Sequence, residues 1–336
     1  MSSESPSILL LRLSSLGDIV LTTSLIASLR GRYPASNIEM VIAKEYASLI
    51  PAIPGLTRVH VFDKSSGMSG LRALRKKLKT EKFDHVLDLH NVLRTRMLRR
   101  GLGKSITIIN KRTFKRRLLV KFKIDRLKNS PDVIGRYFET AASLGVSDNG
   151  LGPTLIVNAI RQNNRIAIAP GARHWNKRWP AANFTTVAIE LIARGYHIDL
   201  HGSKEDAIIT KEIGSYLPVG RFTDFAGQLD LREAAEKISE ALLIISNDSG
   251  LTHVAEAVGT KVIAIFGPTV KQFGFAPRSA NAIVLEIEGL YCRPCTANGL
   301  DHCPEKHFRC MTEINPANVI KELEIMASNS QPGTKA

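Results

Sequence analysis

The strongest constraint on this chain is a rhythm. Short runs of aliphatic and β-branched residues, at 8–13, 38–43, 58–62, 85–89 and 105–109, alternate with stretches of helical spacing, such as Leu16, Ile19, Val20, Thr23 and Ile26, or the segment 71–78. After a Gly/Pro punctuation at 150–153 the rhythm restarts. Runs at 165–169, 197–201, 242–246 and 261–266 are separated by Phe184, Val187, Ala188 and Leu191 and by Leu231, Ala234, Ala235 and Ile238. Strand and helix in alternation build βαβ units on a parallel sheet. At 336 residues the chain is longer than one core usually supports. The expected fold class is α/β, two facing Rossmann-like doubly wound domains with a central cleft. They are expected at 1–155 and 156–327, with a linker inside 150–164, a last helix at 317–326 and a disordered polar tail at 328–336. Ligands of such folds meet the loops at the carboxyl ends of the strands, so the chemistry is sought there.

Apolar residues at 44% and charged residues at 23% are a soluble composition, and no run is long and apolar enough to span a bilayer. The opening MSSESPS has no basic region ahead of an apolar run, so the expected location is cytoplasmic. The net charge of +15 is concentrated: residues 94–128 hold 14 Lys and Arg against one acid, Asp125. A face so one-sided implies a polyanionic partner, whether nucleic acid, anionic bilayer or phosphorylated glycolipid, with a merely solvated surface as the bland alternative.

Three loops carry candidate chemistry. After the first run come Ser14, Ser15, Leu16, Gly17 and Asp18. One glycine cannot supply the dinucleotide fingerprint, which disfavours a nicotinamide enzyme. Asp18 instead stands at a helix start, where it either serves as a general base or merely caps the helix. The second loop runs from Pro170, Gly171 and Ala172 to Lys177, Arg178, Trp179 and Pro180, two cations arriving just before a helix whose free N–H groups attract a diphosphate. The third holds Asn247, Asp248, Ser249, Gly250, Leu251, Thr252 and His253, with Ser249 and His253 sharing a helix face, and Phe266, Gly267, Pro268 and Thr269 form a further turn.

Taken together and in this order, SSLGD at 14–18, PGA and KRWP within 170–180, NDSGLTH at 247–253 and FGPT at 266–269 resemble the lipopolysaccharide heptosyltransferases of glycosyltransferase family 9, most nearly the heptosyltransferase II type. The resemblance implies a GT-B fold and metal-independent inversion at the anomeric carbon, with no cofactor required. It implies an ADP-heptose donor held by the second domain and a lipopolysaccharide inner-core acceptor held by the first. Matched by motif, Asp18 corresponds to the catalytic base and Lys177 to a diphosphate-binding lysine. Asp248, Ser249, Gly250 and His253 correspond to the donor loop. A looser match at 201–206 leaves the ribose contact unassigned. In this light Arg94, Arg96, Arg99, Arg112, Lys115, Arg116 and Arg117 become candidates to hold the acceptor or to dock the protein on anionic lipid at the inner membrane, with no nucleic acid expected.

All four cysteines, Cys292, Cys295, Cys303 and Cys310, lie within nineteen residues, which argues against a secreted disulfide framework. Reduced thiols in a structural loop are the expectation, and a structural zinc site at these four is the alternative. Two rival functions stand beside the main one: a related transferase for another nucleotide sugar or core acceptor, and a basic nucleic-acid binder without catalysis.

Overall fold

A computed structural model describes residues 5–328. The tail expected at 328–336 lies, apart from Ser328, outside the described residues. The described chain divides into two compact units, one running to residue 113 and resuming at 131–156, the other made of 114–130 and of the described residues from 157 onward.

In the first unit β1 (Ile8–Leu11) leads into α1 (Leu16–Arg32), followed by β2 (Ile38–Ala43), β3 (Arg58–Phe62), α2 (Gly67–Thr80), β4 (Phe83–Asp88), α3 (Leu93–Leu98) and β5 (Gly103–Ile108). The strands pair in parallel in the order β3-β2-β1-β4-β5. Every residue of β1 and β2 is buried, as in a parallel sheet covered on both faces, and this is why those runs read as continuous apolar stretches rather than alternating ones. Leu9, Leu11, Val41, Phe62, Leu71 and Phe83 are among the residues that make its core.

Next comes α4 (Thr113–Phe122), which belongs to the second unit apart from its first residue, and then α5 (Val133–Thr140), which belongs to the first and packs on α1. The sequence rhythm gives no sign of this excursion. Leu119 and Leu127 pack with Phe273, and Val270 and Phe275 lie alongside, so residues far off in the sequence hold it in place.

The second unit continues with β6 (Gln162–Ala169), α6 (Ala181–Ala193), β7 (His197–Leu200), α7 (Ala207–Gly214), β8 (Phe222–Asp224), α8 (Leu231–Glu240), β9 (Ala241–Asn247), α9 (Gly250–Ala257), β10 (Lys261–Phe266) and β11 (Ala282–Glu286). It closes with α10 (Arg309–Thr312) and α11 (Pro316–Ser328). Its parallel sheet runs β11-β10-β9-β6-β7-β8. Trp179, Phe184, Ile168, Ile245, Ile265 and Met311 lie in its core.

In each sheet the order reverses once. The first strand has neighbours reached by crossovers on opposite sides, β2 and β4 for β1, and β7 and β9 for β6. These are the switch points at which open α/β sheets leave a crevice beyond the strand ends. The loops after β1, β4, β6 and β9 all emerge there. They carry Asp18, His90, Lys177 and Asp248 respectively. No helix among the described residues is long and apolar enough to cross a membrane.

Candidate active site

The turn after β1 is built around Asp18. Ser15 caps α1, and its backbone N–H and hydroxyl both donate to Asp18 Oδ2, at 3.1 and 2.7 Å, closing a capping box. Oδ1 faces the Arg12 guanidinium at 2.5 Å, with the Tyr137 hydroxyl at 3.5 Å. Arg12 is itself buried and donates to the Leu89 carbonyl, so it is fixed from both ends of its guanidinium. Burial alone would raise the Asp18 carboxyl. The Arg12 charge and the Ser15 hydrogen bonds outweigh it and hold the group below the usual carboxylate range. Asp18 is therefore an ionised acceptor at neutral pH, and it caps its helix as well.

Beside it, after β4, the fully buried Asp88 organises a tight turn. Its Oδ1 accepts the N–H groups of His90 and Asn91, at 3.1 and 2.7 Å, and its Oδ2 pairs with Arg99 at 2.6 Å. The turn presents His90, whose Nδ1 faces the Leu13 N–H at 3.3 Å. Burial, then the nearby charges of Arg12 and Lys111, pull this imidazole down to about 3. Neutral, and accepting at Nδ1, it must carry its proton on Nε2 as a fixed donor.

The second switch point is assembled from three loops. Asn247 is fully buried at the end of β9. Its Oδ1 accepts the Trp179 N–H at 3.0 Å and its Nδ2 donates to the Pro170 carbonyl at 2.7 Å. One side chain thus ties both ends of the loop that holds Lys177. The Lys177 ammonium meets Asp248 Oδ2 at 2.5 Å, and the same oxygen accepts the Thr269 hydroxyl at 2.7 Å. Here too burial opposes ionisation of Asp248, and Lys177, Thr269 and His253 together prevail and lower its pKa. Ser249 caps α9 without bonding its own helix. Its hydroxyl oxygen is buried with no hydrogen-bond partner, as is Nδ1 of His253, which stands 3.6 Å from Glu256. Gly250 opens the helix, whose first N–H groups have no intrahelical acceptor. A cation, an unpaired hydroxyl and a helix start are donors suited to a diphosphate.

Gly171 is required by close approach. A Cβ there would lie 2.2 Å from Cγ of Asp206, which caps the turn at Ser203. His201, at the head of the loosely matched segment, is buried and lowered to about 3 by that burial. Glu205 is exposed.

The seven basic candidates are sorted by their partners. Arg99 is committed to Asp88. Arg112 grips both oxygens of Glu139, at 2.7 and 2.8 Å. Arg116 donates to the Ala297 carbonyl and to Asn298 and lies over the Phe273 ring. Arg96 reaches Asn91 at 3.1 Å and Lys115 reaches Ser130 at 3.4 Å. Arg94 and Arg117 are exposed.

The cysteine loop is a brace. Asn176 and Leu300 exchange two hydrogen bonds, of 3.1 and 2.8 Å, fixing the Lys177 turn from below. Arg293 bonds the carbonyls of Gly267 and Thr269 and pairs with Glu286 at 2.7 Å, fixing the Thr269 turn. All four thiols are free. Burial raises Cys295 to about 11 and Cys310 to about 12, so these two are neutral thiols at physiological pH. Cys292 Sγ lies 3.8 Å from His307 Nε2. Among the described residues no group of three or more His, Cys, Asp and Glu side chains is set to hold a metal ion.

Sequence reasoning gave no role to Arg12, His90, Tyr137 or Asn247. Arg12 had a signal, as the lone charge in the apolar run at 8–13. His90 and Tyr137 had none, since the pairing of β4 with β1 brings the one to Asp18 and the packing of α5 on α1 the other.

The profile of glycosyltransferase family 9 (heptosyltransferase) matches residues 71–303, well over half of the chain. The chain belongs to that family. It is a glycosyltransferase. The lipooligosaccharide heptosyltransferase 2 of Haemophilus influenzae is 28% identical over 313 residues, 84% of this chain and 89% of that one. Among solved structures, a family 9 glycosyl transferase of Veillonella parvula superposes with a TM-score of 0.80 at 22% identity, covering 98% of this chain and 99% of its own. The ADP-heptose lipopolysaccharide heptosyltransferase II of Escherichia coli gives 0.76 at 22% identity, covering 97% and 99%. This family 9 chain therefore has the GT-B fold expected from its motifs.

Proposed function

We propose that this family 9 glycosyltransferase moves a heptose from ADP-heptose to a hydroxyl of the lipopolysaccharide inner core, with inversion and without a metal. The observation that carries the reading is the pair of half-buried carboxylate–cation contacts, Arg12 with Asp18 and Lys177 with Asp248, each at the switch point of its own sheet. The acceptor belongs to the first unit and the donor to the second, and the work is done at the cytoplasmic face of the inner membrane. The relatives' names, which specify lipooligosaccharide or ADP-heptose lipopolysaccharide heptosyltransferases, support the substrates.

Asp18 takes the proton of the acceptor hydroxyl as that oxygen attacks the anomeric carbon opposite the departing ADP. A single displacement inverts the centre. Arg12 keeps the carboxylate ionised and aimed, and the His90 Nε2–H offers a neutral donor to an acceptor oxygen. Lys177, the first amides of α9 and the Ser249 hydroxyl stabilise the charge that grows on the leaving diphosphate. Asp248 positions Lys177.

The test is to incubate the protein with ADP-heptose and defined inner-core acceptors, identify the product by mass and its anomeric configuration by NMR, and repeat with chelator present. Product of inverted configuration, undiminished by chelator, is expected. Turnover with another nucleotide sugar alone, or retention of configuration, overturns the reading.

A further inference from the structure

Helix α4 carries two apolar faces, and the fold uses only one. Leu119 and Val120 pack inward beside Val270, Phe273 and Phe275, while Arg116 and Lys123 on the same side donate to carbonyls of the cysteine loop, Ala297 for Arg116 and Cys292 and Pro294, at 3.0 and 2.7 Å, for Lys123. The other face repeats at i, i+3, i+4, i+7 and i+8 as Phe114, Arg117, Leu118, Lys121 and Phe122. Phe114 is 74% exposed, Phe122 58%, and Ile124 just beyond the helix 47%. Three large apolar side chains exposed within eleven residues form a patch rather than isolated surface residues. Around them stand Arg117, Lys121, Arg126 and Lys128, all exposed and none with an ion-pair partner among the described residues. The one acid, Asp125, is turned to the backbone, where it accepts the N–H groups of Leu127 and Lys128 at 2.7 and 3.1 Å.

We propose that this outward face of α4 and the turn after it, Phe114, Leu118, Phe122 and Ile124 ringed by Arg117, Lys121, Arg126 and Lys128, is an interfacial anchor that lays the protein on an anionic bilayer. Apolar side chains set among cations suit the boundary between headgroups and acyl chains, where the rings leave water and the ammonium and guanidinium groups stay with phosphate. A nucleic acid would also meet the cations, and bases stack on aromatic rings. Leu118 and Ile124 offer it nothing, and no recognition motif accompanies them. The inward anchoring of Arg116 and Lys123 explains how a ten-residue helix can present this face rigidly. The inference concerns where the protein sits and is independent of donor chemistry, although it fits the proposed lipid-linked acceptor.

The experiment is co-sedimentation of the full chain, without substrates, with vesicles of phosphatidylcholine alone and with vesicles containing phosphatidylglycerol, at low and high salt. Binding to the anionic vesicles only, weakened by salt, is expected. F114S/F122S and K121E/R126E should each lower the partition constant by roughly tenfold or more, consistent with loss of a few buried apolar groups or surface cations. Neither pair should change the melting temperature, nor turnover of ADP-heptose with a water-soluble deacylated acceptor. Equal binding to both vesicle types, or unchanged partition of both variants, overturns the anchor. So does binding of single-stranded DNA that the variants lose while vesicle binding persists. Failure of the soluble-acceptor assay in the wild type would break the proposed function and leave the vesicle result intact.

Discussion

The two switch points look alike and work differently. Each sets a half-buried carboxylate against a cation at 2.5 Å, and in each the pair lowers the carboxylate pKa against the pull of desolvation. In the first unit the cation is the anchored member. Arg12 rises from the strand, is tied to Leu89 and leaves Asp18 at the rim. In the second unit the carboxylate is the anchored member. Asp248 is held by Thr269 and leaves the flexible, compact charge of Lys177 at the rim. Under the proposed function the difference assigns the partner that meets substrate: an anchored arginine would offer a carboxylate to a proton, and an anchored aspartate an ammonium to a phosphate.

The sharpest way to break the comparison is Asp18→Ala. Loss of a positioned base should lower kcat by about 10² to 10⁴-fold while the ADP dissociation constant from calorimetry stays within a factor of two or so. Turnover near that of the wild type would remove Asp18 from the chemistry. Lys177→Ala comes next, expected to cost about 10² to 10³-fold in kcat through lost stabilisation of the leaving diphosphate, and here ADP affinity must fall as well. An effect on kcat with ADP affinity intact would mean that the lysine is only a structural mate of Asp248. Ser249→Ala removes a hydroxyl that makes no bond in the protein itself, so protein stability should hold. ADP binding should weaken by roughly tenfold, the worth of one hydrogen bond to a charged group. If the melting temperature drops instead, the hydroxyl belongs to the fold.

The smallest change is Arg12→Gln, read as a pH profile. In the wild type the Asp18 carboxyl is depressed, so its ionised form survives to below the usual carboxylate range, and the acidic limb of kcat from this group lies there. Without Arg12 the burial is opposed only by the Ser15 hydrogen bonds, and the limb should move upward, activity failing sooner as pH falls. The stability contribution follows the same sign: the ion pair supports the fold above the unfolded carboxylate value and is lost as pH drops through the folded one. An unmoved limb would show that another group sets it.

The parallel architecture and the loops that matter were legible because both depend on local pattern. Strands 38–43 and 261–266 were readable to the residue, since buried parallel strands announce themselves as apolar runs, and the half-exposed edge strand 58–62 was readable from its β-branched and aromatic residues. The two edge strands of the second sheet, β8 and β11, escaped notice, one being three residues long and the other half-exposed throughout. Asp18 was readable as a choice between cap and base, and its geometry shows that the cap does not exclude the base. The basic stretch was legible as charge and illegible as surface. Nothing local says that Arg99 is spent on Asp88, Arg112 on Glu139 and Arg116 on a loop some 180 residues away, because those partners are set by tertiary structure.

The amide of Asn247, gripping the chain at Pro170 and again at Trp179, makes the intervening stretch an arch standing on two fixed feet. Arches do not swing. Nucleotide should therefore come and go past the Lys177 ammonium without waiting for that segment to lift, and amide exchange at 173–178 should proceed at one rate whether or not ADP is present.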